Sequence, residues 1–174
     1  MSMFLKYVTK LQLLCLLKKD QRARKNPDVS ISEEQKVDYK NTEALKKIIS
    51  RVGWPTISKV GERAAHAAWI IAQHTKDGNF REKCLNLMKE NSEDVSRKDL
   101  AFLEDRVSLA NYGYQIYGTQ VKTEERDGKL ITEIMPVKDD SKLEDLRRKM
   151  GLDPLEEQLR RCEKMYKELL VNKK

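Results

Sequence analysis

A chain of 174 residues, 36% charged and 39% hydrophobic, is long enough to bury a core without covalent staples and too hydrophobic to stay disordered. Its net charge of +7 comes from 35 basic residues interleaved with 28 acidic ones, which argues against the dense basic face of a specific nucleic-acid reader and leaves only a mild preference for anionic partners. Cys15, Cys84 and Cys162 are scattered, and His66 and His74 lie eight apart, so neither a disulfide framework nor metal-ligand spacing is present; no metal and no cofactor are expected, and the thiols read as small buried side chains in a reducing, cytoplasmic setting.

The first helix is expected from Ser2 to about Lys25, stopped by Asn26-Pro27-Asp28. Lys6 and Lys10 interrupt its apolar start, so it reads as an amphipathic helix packing on the domain, with no signal peptide, membrane span or membrane partner. Ser30 with Glu33 forms a capping-box pair, and Leu45, Ile48, Ile49 and Val52 carry helical spacing up to Gly53. Trp54-Pro55-Thr56 is a rigid connector. The alanine-rich stretch from Gly61 to Thr75 leaves almost no solvated face and predicts the most buried helix. Further helices are expected from Phe80 to about Glu90, and from the Ser96–Asp99 cap to Tyr112-Gly113.

The period then changes. Ile116 to Glu125 and Lys129 to Val137 flank Arg126-Asp127-Gly128, a hairpin signal. Ser141 with Glu144 caps a short helix ending at Gly151, and Asp153-Pro154 opens a last one with Leu155, Leu159, Cys162, Tyr166 and Leu169 on one side. The sequence therefore predicts a mainly α fold: one helical domain over residues 1–174 with a single β-hairpin near 116–137.

Several polar residues break this apolar pattern. At about 100° per residue, Asp105 falls between Ala101 and Leu109, and Arg106 between Phe102 and Ala110. An acid and a base so flanked must be paired or must face a polar cavity, and Asp20, Asp38 and Asp105 are the candidate partners of Arg106. Arg63, His66, Gln73 and His74 form a polar sector on the alanine-rich helix, which either lines a pocket or forms a buried network that fixes helix packing. Gln115, Tyr117 and Gln120 sit where helix gives way to strand, Asp20 and Arg24 close the first helix, and Asp38 and Asn41 lie one turn apart on the second.

In this order, Asp20-Gln21-x-x-Arg24, Asp38-x-x-Asn41, Gly53-Trp54-Pro55, Gly61 with Ala67-Ala68-Trp69, Gln73-His74, Asp105-Arg106-Val107, Gln115-x-Tyr117-Gly118-Thr119-Gln120 and Arg148-x-x-Gly151-Leu152 resemble an uncharacterised bacterial family, domain of unknown function 6624. The resemblance runs from about Asp20 to Gln158; it implies the fold and the site residues but names no substrate. It departs at Thr75 and Lys76, where the family commonly has a small residue and an acid, and in the short spacing between Gly113 and Gln115.

If these residues converge, His74 and Asp105 are the expected catalytic pair. Arg106, Tyr117, Gln120, Gln115, Gln73, Asp20, Arg24 and Asn41 are then the expected substrate-binding residues. With no glycine-rich phosphate loop and no obvious nucleophile, that set suits a metal-independent hydrolase, lyase or transferase acting on a small anionic molecule such as a phosphate ester or nucleotide. The alternative is a non-catalytic module that binds a small ligand or a protein; both need a pocket, and only the enzyme needs a titrating group at the reacting atoms.

Overall fold

A computed structural model describes residues 2–127 and 129–171. The described residues form α1 (Met3–Lys25), α2 (Ile31–Val52), α3 (Ile57–Val60), α4 (Glu62–His74), α5 (Gly78–Glu90), α6 (Arg97–Tyr112), strands β1 (Val121–Arg126) and β2 (Lys129–Ile134), α7 (Leu143–Lys149) and α8 (Leu155–Val171). The fold is mainly α with one antiparallel hairpin, as expected from the sequence. The backbone divides into two compact units, Met1–Leu103 and Glu104–Lys174, the boundary falling within α6.

In the first unit α4 packs most extensively on α1 and also on α2. Ala64, Ala67, Ala68 and Ala72 are buried along α4, and their small side chains let the neighbouring backbones approach; Leu13 and Leu16 from α1 and Leu45 and Ile48 from α2 fill the space. The capping box at Ser30 and Glu33 is present in both directions, and Asp77 caps α5 through Phe80 N at 2.9 Å. The connector after Trp54 contains the extra turn α3, which Thr56 begins by accepting from Val60 N at 3.1 Å.

α1 packs along one face, which buries Thr9 and half-buries Leu5 and Val8 in its first half, but its apolar residues are not confined to that face. Met3, Phe4, Tyr7 and Leu11 are exposed, a stripe outside the packing that buries Leu13 and Leu16. The cysteines also differ from expectation. Cys84 is buried, which pushes its thiol up to about 12, whereas Cys15 is exposed and Cys162 half-buried. No helix among the described residues is long and apolar enough to cross a membrane.

In the second unit α8 packs on both strands of the hairpin. Val121 faces Ile134 and Arg126 faces Lys129, leaving a two-residue turn in which Asp127 has φ of +51°; Gly128, the expected turn glycine, and the side chain of Leu169, expected on the packed side of α8, lie outside the described residues. The strands are shorter than the period suggests, because residues 115–120 do not join the ladder. The backbone N–H groups of Ile116, Tyr117, Thr119 and Gln120 turn toward side chains instead, while that of Gln115 donates to Pro136 O. The cap of the short helix shifts as well: Asp139, not Ser141, accepts from the backbone, and Ser141 sits in a single 3-10 turn.

Candidate functional site

Two clusters of buried polar groups stand out, one in each unit. In the first, α1 contributes Asp20 and Arg24, α2 contributes Asp38, and α4 contributes His74 at its last position. Asp20 and Arg24 share a face because they are one turn apart. Asp20 is 1% exposed, and its Oδ1 lies 2.7 Å from His74 Nδ1 and 3.3 Å from Arg24 Nε; Gln21 Nε2 donates to its Oδ2 at 3.0 Å. Arg24 Nη2 donates to Asp38 Oδ1 at 2.6 Å, and Nη1 lies 3.6 Å from Glu34.

Arg24 Nε is also 3.1 Å from His74 Nδ1. One ring nitrogen cannot donate to Asp20 and accept from Arg24 at once. The shorter contact to an ionised carboxylate decides it: Nδ1 carries the proton and donates to Asp20, which leaves Nε2 as the nitrogen that exchanges a proton. Burial pushes the Asp20 carboxyl up, but the hydrogen bond and charge of His74, with Arg24 and Gln21, hold it below its ordinary 3.8.

A group whose folded value is depressed contributes stability at pH above its unfolded value, and that contribution is lost as pH falls through the folded one. Urea midpoints of wild type and Asp20→Asn should therefore differ above about pH 4, and the difference should shrink as the solution is acidified further. A difference that stays constant down to pH 2 would mean the carboxylate is not held ionised by these partners.

Asp20, Asp38 and His74 place one ligand atom each within 4.8 Å of one another, a set that could hold a metal ion. The Arg24 guanidinium bonds both carboxylates, however, and supplies the positive charge that a cation would otherwise bring.

Asn41, also expected at the site, is buried and ties α2 to α1 through Leu16 O at 3.4 Å. Gln73 is buried with neither amide atom hydrogen-bonded among the described residues. The polar sector foreseen on α4 divides along the helix: Arg63 and His66 are exposed toward its start, and His74 is half-buried at its end.

The second cluster centres on Asp105, which is fully buried on α6. Its Oδ1 accepts from the backbone N–H of Ile116 at 2.7 Å and Tyr117 at 2.9 Å; its Oδ2 accepts from Thr119 N and Thr119 Oγ1, both at 2.8 Å. One carboxylate thus folds the 115–120 loop around itself. Gln115 locks the base of that loop, donating to Gln120 O at 2.9 Å and Met135 O at 2.8 Å while its Oε1 accepts from Gln120 N at 2.8 Å. The Gln120 side chain donates to Thr119 Oγ1 at 3.1 Å.

Tyr117 OH donates to Glu104 at 3.0 Å; burial and the Glu104 charge push its hydroxyl well above the ordinary range. Arg106 is half-buried on the same helix.

Sequence reasoning missed Arg147 and singled out its neighbour Arg148, which is exposed and pairs with Asp145. Arg147 is 1% exposed. It donates to the carbonyls of Tyr117 at 2.7 Å, Gly118 at 3.2 Å and Asp153 at 2.6 Å, and to Gln158 Oε1 at 2.8 Å. Gly118 is required there: its φ is +65°, and a Cβ would sit 3.4 Å from Leu143. A signal for Arg147 existed, since it follows buried Leu143 by one helical turn.

Residues 19–171 match the model of a family of unknown function (DUF6624), which spans both clusters. The chain belongs to that family. No curated protein and no solved structure matches it. Within this DUF6624 member the expected catalytic pair is regrouped: the carboxylate on His74 is Asp20, and Asp105 holds a loop in the other unit.

Proposed function

We propose that this DUF6624 protein is a metal-independent hydrolase, lyase or transferase acting in the cytoplasm on a small anionic molecule, such as a phosphate ester or nucleotide, with His74 as its acid–base group. The observation that carries the reading is the 2.7 Å contact between His74 Nδ1 and buried Asp20, with the ring itself still 26% exposed. A carboxylate so placed fixes the tautomer and orientation of the imidazole and leaves Nε2 to take or give a proton. Arg24 balances the charge of Asp20 and Asp38, so the pair works without a cation.

The test is a screen of nucleotides and sugar phosphates for turnover in the presence of EDTA. Wild type should turn over at least one compound, and His74→Ala should lower kcat by about 10²–10⁴ while circular dichroism stays unchanged. Turnover undiminished in His74→Ala, or abolished by EDTA, refutes the reading. Saturable binding without turnover of any compound, retained in His74→Ala, would establish the non-catalytic binding module instead.

A further inference from the structure

Two cavities of the Met1–Leu103 unit adjoin through one side chain, Arg63, which stands in the wall of both. The larger, about 910 Å³, runs along α1 and presents Lys18, Arg22, Lys25 and Arg63 with no acidic residue in its lining. None of these four cations has an ion-pair partner among the described residues, whereas Arg24 on the same helix has Asp20, Glu34 and Asp38.

Arg22 and Lys25 suit the C-terminal end of α1, where the helix dipole favours cations. That reason fails for Arg63, which occupies the first turn of α4, the end that disfavours a positive charge. Four unneutralised cations from two helices repel one another, and an anion between them removes that cost.

The smaller cavity, about 320 Å³, is walled by Trp54, His66, Trp69, Ser96 and Asp99. The His66 and Trp69 rings lie 4.8 Å apart at 31°, and His66 Nδ1 is 2.8 Å from Asp99. The volume lies in the range of small-ligand pockets, and aromatic faces beside a few polar groups suit a flat heterocycle with hydrogen-bonding edges.

We propose that the two cavities form one site for a nucleotide with two or more phosphates. The phosphates lie among Lys18, Arg22, Lys25 and Arg63, and the base lies against His66 and Trp69. The inference rests on the proposed function only in taking the ligand as anionic, and binding here does not require His74.

The chain has two tryptophans, Trp54 and Trp69, and both line the smaller cavity, so intrinsic fluorescence reports its occupancy directly. The full-length protein is titrated at low salt with ATP, ADP, AMP, inorganic triphosphate, adenosine and a single-stranded oligonucleotide, by calorimetry and fluorescence. ATP and ADP should bind saturably and change the tryptophan emission, triphosphate should bind without changing it, and AMP and adenosine should bind more weakly.

Arg63→Glu and the double variant Lys18→Glu/Arg22→Glu should each weaken ATP by at least about tenfold. Trp69→Leu should weaken ATP but not triphosphate, and Arg160→Glu on α8 should change neither. His74→Ala should still bind ATP, so a failed turnover screen leaves this result intact. No saturable ATP binding, equal ATP binding by Arg63→Glu in a folded protein, or tighter binding of the oligonucleotide than of ATP would each overturn the proposal, the last in favour of a nucleic-acid groove.

Discussion

Asp105→Ala is expected to lower the unfolding free energy by about 3–5 kcal/mol, because it strands several donors around a buried carboxylate. Three backbone N–H groups and the Thr119 hydroxyl lose their acceptor together. Each buried donor left unsatisfied costs about 1–3 kcal/mol, and partial access of water to the emptied space keeps the sum below the simple total. Asp105→Asn should cost less, since the remaining amide oxygen still accepts from one side of the loop. Urea unfolding measures both; a loss below about 1 kcal/mol for Asp105→Ala would mean that water replaces the carboxylate without penalty.

Arg147→Met should cost about 2–4 kcal/mol by the converse route, leaving acceptors without donors. The methionine fills most of the volume but cannot serve the carbonyls of Tyr117, Gly118 and Asp153 or the amide oxygen of Gln158. Asp105 draws the N–H side of the 115–120 loop inward, and Arg147 holds its carbonyl side. Once either is removed the loop loosens and the other has less to hold. The double variant Asp105→Ala/Arg147→Met should accordingly lose less than the sum of the two single losses, by about 1 kcal/mol or more. Strict additivity would show that the two clamps act on independent segments.

These two residues divide cleanly in how far the sequence revealed them. The burial of Asp105 was legible because Ala101 and Leu109 flank it on the helical wheel. Its partners were not, since a backbone N–H carries no sequence signature and the loop that supplies them looked like the start of a strand. Arg147 lay hidden for a related reason. In a short helix rich in charge, one arginine among Arg147, Arg148 and Lys149 looks like the next, and only the direction of Leu143 distinguishes the buried one. The basic run from Lys18 to Lys25 was also visible, but its convergence with Arg63 on a second helix was not.

By itself the sequence determined the long helices, the caps at Ser30, Asp77 and Ser96, the place of the hairpin and the burial of the alanine face of α4. Those features arise from interactions within a few residues: the periods of about 3.6 and 2 that separate an apolar face from a polar one, and side chains that satisfy free helix ends. The family that the sequence resembles is also the one whose model its residues 19–171 match. Only the tertiary structure decided that His74 meets Asp20, 54 residues away, rather than Asp105, and that Arg24 serves Asp38 as well. A buried charge must find a partner, but the energy that requires one is indifferent to sequence distance, and the packing of α1, α2 and α4 chose which carboxylate came within reach.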